Sequence, residues 1–193
     1  QPHHLLPINT IPLHETWEAM IDYQQAGLVR HIGVSNFSIS DIKSIIEHTG
    51  VKPSINQVEC HPYLIQSTLR EYCQQQQITL TAYAPLGSGG RPPASKQAQE
   101  STLLENSVIN QIAQTHHATA AQVLIQWSIA LGNVVIPKSV SPDRIKQNLD
   151  ALDLQLTAAE IDQISTLNID HRFISGSFFT LENSPYTMES LWQ

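Results

Sequence analysis

Cysteine is scarce. Cys60 and Cys73 are the 2 that a chain of 193 residues contains. They are too few for a disulfide framework and fit no metal-ligand spacing, so a reducing compartment, the cytoplasm, is the expectation. Charge is also thin, at 14%, and its balance is acidic, with a formal net charge of −7. No polybasic run interrupts it, which argues against a nucleic acid or an anionic membrane as partner. Long apolar runs are missing as well. Residues 120–131 come nearest to one, but Gln122, Gln126 and Ser128 break the run and it is too short to cross a bilayer. No Gly-x-Gly-x-x-Gly fingerprint of a doubly wound nucleotide fold is present. Nor is there an initiator methionine or a targeting segment: the chain opens Gln1-Pro2-His3-His4, and is not expected to show its native start.

What is present is an ordinary globular composition, 41% hydrophobic with 8 Gly and 11 Pro, enough for one domain over 1–193. The stretch Val134-Val135-Ile136-Pro137-Lys138-Ser139-Val140-Ser141-Pro142-Asp143-Arg144 organises the rest. A β-branched run reads as a buried strand, and Ser141 before Pro142 reads as an N-cap with proline at the first helical position. The helix that follows carries Ile145, Leu149 and Leu152 on one face, with Arg144 in its first turn and Asn148 one turn on. Unsatisfied N–H groups at a helix start, with Lys138 and Arg144 beside them, are the layout of a phosphate-anion site. The plainer reading is a strand, a Ser-Pro helix start and two solvated cations.

Taken in order, residues 1–13 read as a proline-broken loop, and residues 14–26 as a helix stopped by Gly27. A strand follows at 30–34. Ser38 and Asp41 then form a capping box for a helix with Ile42, Ile45 and Ile46 inside. Further strands are expected at 53–58, 78–83 and from 134, and further helices at 66–77, 105–115, 119–131, 142–152 and, capped by Thr157 and Glu160, to 167. Residues 85–101 form a Gly/Pro/Ser-rich loop and 168–193 an irregular, aromatic tail. Both are too long to be idle chain.

Strands alternating with helices imply parallel βαβ units and an α/β fold. Four units are half of a (β/α)8 barrel, which needs eight. A lone half would leave two strand edges and the inward strand faces (Ile32, Val34, Ile55, Leu80, Val135) open to water. The chain is therefore expected either to belong to a longer polypeptide, monomeric once the barrel is closed, or to associate with a second copy. The first is the usual solution.

Four motifs make a resemblance plain. They are Leu28-Val29-Arg30-His31-Ile32-Gly33-Val34-Ser35-Asn36-Phe37, Asn56-Gln57-Val58-Glu59-Cys60-His61-Pro62-Tyr63, Ala82-Tyr83-Ala84-Pro85-Leu86-Gly87 and Ile136-Pro137-Lys138-Ser139. In this order and spacing they resemble the aldo-keto reductases, from about Ile11 onward. The resemblance begins after the family's fourth strand. The four strands that carry its Asp, Tyr, Lys and His tetrad have no counterpart here, so no catalytic residue is expected in this chain.

The resemblance implies NADP(H)-dependent reduction of aldehydes or ketones to alcohols by hydride transfer, with this chain supplying the cofactor-binding half. Ser35, Asn36 and Gln57 would hold the carboxamide, and Tyr83 would stack on the nicotinamide. Pro85, Leu86, Gly87 and Ser88 would run beneath the pyrophosphate, with Gly89 and Gly90 letting the loop move. Lys138, Ser139 and Arg144 would bind the 2′-phosphate and Asn148 the adenine. Two cations at a helix start suit a dianion better than a ribose hydroxyl, hence NADP(H) rather than NAD(H). Phe178, Phe179, Tyr186, Leu191 and Trp192 would form an apolar wall for a small-molecule carbonyl substrate, or pack the tail onto the barrel's rim.

Simpler roles stand beside these: Asn36 as a turn residue, Gln57 as a barrel-layer residue, Tyr83 as core. The family often has an acidic residue where Gly90 falls and Glu where Gln147 falls, so a looser clasp on the cofactor is expected. His3-His4 and His116-His117 are expected to be surface histidines rather than metal ligands. A second class of function stays open: a non-catalytic nicotinamide-nucleotide-binding regulatory protein of the same fold.

Overall fold

The computed structural model describes residues 5–7, 10–92, 96 and 100–192. The His3-His4 pair and parts of the 1–13 and 85–101 loops lie outside the described residues. Strands and helices alternate through the chain. They run α1 (Leu13–Gln25), β1 (Gly33–Ser35), α2 (Ile39–Thr49), β2 (Ile55–Glu59), α3 (Ser67–Gln75), β3 (Thr79–Tyr83), α4 (Ser107–Thr115), α5 (Ala120–Ala130), β4 (Val134–Val135), α6 (Pro142–Asp150), α7 (Ala158–Ser165) and α8 (Met188–Leu191). Single 3-10 turns lie at Leu103–Glu105, Ala151–Asp153 and Ser177–Phe179. The strands form one sheet in chain order, β1-β2-β3-β4. β3 runs parallel to β4, with Thr81 beside Val134 and Ala82 beside Val135. This α/β arrangement of four βα units is half of a (β/α)8 barrel. Among the described residues no helix is long and apolar enough to cross a membrane.

The chain forms two compact units interleaved in sequence, Gln1–Asn56 with Thr68–Thr79 and Ile174–Gln193, and Gln57–Ser67 with Leu80–Phe173. In the first, α1 and α2 close over Trp17, Ile21, Ile32 and Ile45. The Trp17 indole N–H donates to the Val51 carbonyl at 3.0 Å, so the ring is buried without an orphaned donor. The capping box expected at Ser38 and Asp41 is formed on both sides. α2 ends on Gly50, whose left-handed φ of 72° a β-carbon would strain. Gly33 is needed for a different reason: a Cβ there would lie 2.9 Å from the Ile55 carbonyl oxygen, where β1 meets β2.

In the second unit α5 is capped by Thr119 and Gln122, and it buries Val123, Leu124, Ile125 and Trp127. A helix apolar on several sides belongs in the middle of a core. Here α4, α7 and the Phe173 ring complete that core around it. Fully burying each such side chain is worth roughly 1.5–3 kcal/mol.

Two expectations are corrected. Ser141 occupies the N-cap of α6, with Pro142 beginning the helix, but its hydroxyl makes no cap bond. Instead its own N–H donates to the Ser139 hydroxyl at 3.2 Å. The strand faces are also assigned differently. Ile32 and Val34 pack with α1 and α2. Leu80 is 4% exposed and shares a strand face with buried Ala82, whose register partner is Val135. Of the five residues expected on an open inner face, only Ile55 is exposed, at 38%. β1 and β4 are too short, and β2 carries polar residues on both faces, so alternation by itself does not say which face the helices cover.

Candidate cofactor site

Of the residues expected at the nicotinamide end, Ser35 and Tyr83 close their strands, Asn36 follows β1, and Gln57 is in the middle of β2. In the first unit Ser35 closes β1 and is exposed, and Asn36 follows with φ 59°. A left-handed φ is a strain for most residues and is tolerated by Asn. In the second unit Gln57 and Tyr83 are half-buried, Tyr83 as the last residue of β3.

Beyond Tyr83 the chain is bent by three left-handed residues, Ala84 (φ 51°), Gly87 (φ 83°) and Ser88 (φ 48°). Pro85 and Gly87 are buried, and Leu86 packs on the main core. A Cβ on Gly87 would meet the Phe173 ring at 3.2 Å and Leu103 at 3.3 Å. Arg91 secures this loop. Its Nε donates to the Ser88 carbonyl at 3.1 Å, its guanidinium also bonds the Phe173 carbonyl and the Glu100 carboxylate, and it lies 5.0 Å over the Phe173 ring. Glu100 accepts a further bond from His171 at 2.9 Å. Burial would raise the Glu100 carboxyl, but His171 and Arg91 together hold it below the usual carboxylate range.

Beneath the loop lies a buried acid–imidazole pair that sequence reasoning missed. Glu59 and His61 are both fully buried, 2.8 Å apart at Oε1 and Nε2. The Phe173 N–H donates to the same carboxylate oxygen at 2.6 Å. Burial pushes His61 below the ordinary imidazole range, although Glu59 pulls the other way. The geometry supplies a reason: Nδ1 is buried with no partner among the described residues, so a proton there would have no acceptor. Arg172 is likewise lowered by burial, against the pull of Glu59 and Tyr83. A Glu inside a β-branched strand is the one sequence signal that could have found this pair.

At the adenosine end Lys138, Ser139 and Asn148 line one groove of about 440 Å³, floored by Ile125, Ile129 and Leu149. Arg144 is exposed at the start of α6 and is not part of the groove wall. Lys138 and Arg144 make no ion pair among the described residues, whereas Lys146 is paired with Asp150. The donor set fits a phosphate dianion, since two cations and a helix N-terminus stand there uncommitted. The apolar face expected on α6 exists but is uncovered: Ile145, Leu149 and Leu152 are 53%, 66% and 56% exposed.

In the tail, Phe178, Phe179 and Tyr186 form a row, with ring centres 4.3 and 6.1 Å apart. Leu191 and Trp192 pack back on Gly176, and the Trp192 indole donates to the Ser175 carbonyl at 2.7 Å. His116 is not a free surface histidine: it pairs with Glu160 at 2.8 Å, joining α4 to α7. His117 is exposed.

Four βα units in chain order, their strands in one sheet with β3 parallel to β4, define part of a (β/α)8 barrel. The chain belongs to the aldo/keto reductase family, whose pattern matches residues 3–169. It is 48% identical over 188 residues to an aldo/keto reductase of Synechocystis sp., covering 97% of this chain and 58% of that one. It is 45% identical over 163 residues to aldo-keto reductase family 1 member A1-A of Danio rerio, covering 83% and 49%. Among solved structures, it is similar to Gox0644 in its apo form, with a TM-score of 0.72, 37% identity and coverage of 80% and 53%. It is also similar to an aldo/keto reductase from Brucella melitensis, with a TM-score of 0.71, 38% identity and coverage of 80% and 55%. The chain thus spans about half the length of the curated relatives it matches.

Proposed function

We propose that this chain is the cofactor-binding half of an NADP(H)-dependent oxidoreductase that reduces aldehydes or ketones to alcohols in the cytoplasm. The observation that carries the reading is a pair of cations without an ion-pair partner among the described residues, Lys138 just before α6 and Arg144 in its first turn, with Ser139 and Asn148 nearby in sequence. Lys138, Ser139 and Arg144 would hold the 2′-phosphate, and Asn148 the adenine. Pro85, Leu86, Gly87 and Ser88, held down by Arg91, would carry the pyrophosphate. Tyr83 would stack on the nicotinamide, and Ser35, Asn36 and Gln57 would fix its carboxamide, which needs donors and acceptors together. When bound, the cofactor supplies the hydride. The residues named here bind it and orient its ring.

The tyrosine that would protonate the carbonyl oxygen, and the lysine that would lower its pKa, belong in the family to strands with no counterpart in this chain, so residues 1–193 alone would reduce no aldehyde. Upstream βα units would complete one barrel domain, monomeric once closed. Phe178, Phe179 and Tyr186 would face the carbonyl substrate, while Leu191 and Trp192 would brace the tail.

Arg144→Ala tests the assignment. A charge-assisted hydrogen bond is worth about 1.5–3 kcal/mol, so NADPH should bind roughly 10- to 150-fold more weakly, and NADH almost as before. Fluorescence titration of both cofactors against both variants reads it. Equal losses for the two cofactors overturn the 2′-phosphate reading.

A further inference from the structure

We infer that Asn56 is a positioning residue, which holds the turn carrying Ser35 and Asn36 in the conformation that grips the carboxamide. The inference rests on the cofactor reading above. Asn56 lies inside β2 and is 0% exposed. A strand interior is a poor place for asparagine, and a buried amide is costly unless its donor and acceptor are both used. Here both are used, and on a single residue. Asn56 Nδ2 donates to the Phe37 carbonyl at 2.9 Å, and Asn56 Oδ1 accepts from the Phe37 N–H at 3.4 Å. The first of these is the stronger.

The side-chain amide thereby imitates a further rung of the sheet. β1 ends at Ser35, where strand pairing stops. Asn56 takes up the chain again two residues later, at Phe37. Asn36 is the one residue left between, and it sits in the left-handed region at φ 59°. Clamped on both sides, it cannot relax into the extended region without breaking the bonds to Asn56. Beyond Phe37 the chain is held again at once, because Ser38 caps α2 together with Asp41. A leucine, branched at the same carbon, could make neither bond. Only an amide gives two opposed, directional bonds to the N–H and C=O of one residue.

The test uses the full-length protein and two probes, NADPH and adenosine 2′,5′-bisphosphate, which lacks the nicotinamide. Asn56→Asp keeps the shape but sets an oxygen against the Phe37 carbonyl. It should raise the NADPH dissociation constant about tenfold, the scale of one hydrogen bond lost, and leave the bisphosphate's unchanged. Asn36→Ala should give a similar nicotinamide-specific loss. The double variant should lose no more than the larger single, since both act through one contact. Should the aspartate variant not fold, Asn56→Leu reads the same difference without a buried charge. Equal weakening for both probes, or additive losses in the double variant, would mean that Asn56 is merely structural. If Asn36→Ala shows its loss and neither Asn56 variant does, the positioning role alone is overturned. If Asn36→Ala shows none, the carboxamide reading falls, and the role of Asn56 with it.

Discussion

Nε2 of His61 lies 2.8 Å from Oε1 of Glu59, and neither side chain reaches solvent. The same carboxylate receives the N–H of Phe173, a residue 114 positions away in sequence. The pair ties the end of β2 to the start of the C-terminal segment, and its effect on stability depends on pH.

Burial lowers the folded-state pKa of His61 from the ordinary 6.5. Below that value the unfolded chain takes up a proton that the folded one refuses, so stability falls as pH drops through about 6.5 and levels off below the folded pKa. Melting temperatures across pH 8 to 5 should show this slope in the parent protein and lose part of it in His61→Gln, whatever the variant's absolute stability. Identical slopes would mean that His61 is not held neutral.

Glu100 is also shifted downward, but for a carboxylate that shift stabilises the folded chain. Its folded pKa is lowered below the ordinary 4.5, so its contribution is present above that value and disappears as pH falls through the lower folded pKa. Glu100→Gln should cut melting temperature at neutral pH and flatten the curve below pH 4.5 while leaving the His61 region untouched. It also releases Arg91, so NADPH should dissociate faster in stopped-flow displacement. An unchanged off-rate would show that the Arg91–Glu100 pair does not restrain the pyrophosphate loop.

The uncovered stripe Ile145, Leu149 and Leu152 has a consequence in solution, because each such side chain, if buried, is worth roughly 1.5–3 kcal/mol. Expressed as residues 1–193, the polypeptide should self-associate or precipitate, and Leu149→Lys with Leu152→Lys should lower its mass by light scattering. A monodisperse monomer of the unaltered chain would show that these side chains need no cover.

The order of elements was legible because helices and caps depend on near neighbours. Ser38 with Asp41 and Thr157 with Glu160 form boxes within four residues, and both stand where the sequence places them. Gly27 takes the left-handed φ of 73° expected at the end of α1. Strand positions were legible to within two or three residues, since β-branched runs mark them. The candidate phosphate residues Lys138, Ser139, Arg144 and Asn148 could be named from sequence because they lie in and just before one short helix.

Tertiary structure decided the rest. No periodicity in β2 says that Asn56 turns to Phe37, or that Glu59 is sealed in with His61 and Phe173. Those partners come from other elements, and the cost of burying a polar group is met only where they arrive. The sequence likewise shows α6 to be amphipathic, yet not that its apolar face would stand uncovered, because exposure depends on what packs against it. Sequence by itself determined the alternation of strands and helices and the family to which they belong. Only the packed chain decided which side chains are buried, since burial is a property of neighbours distant along the chain.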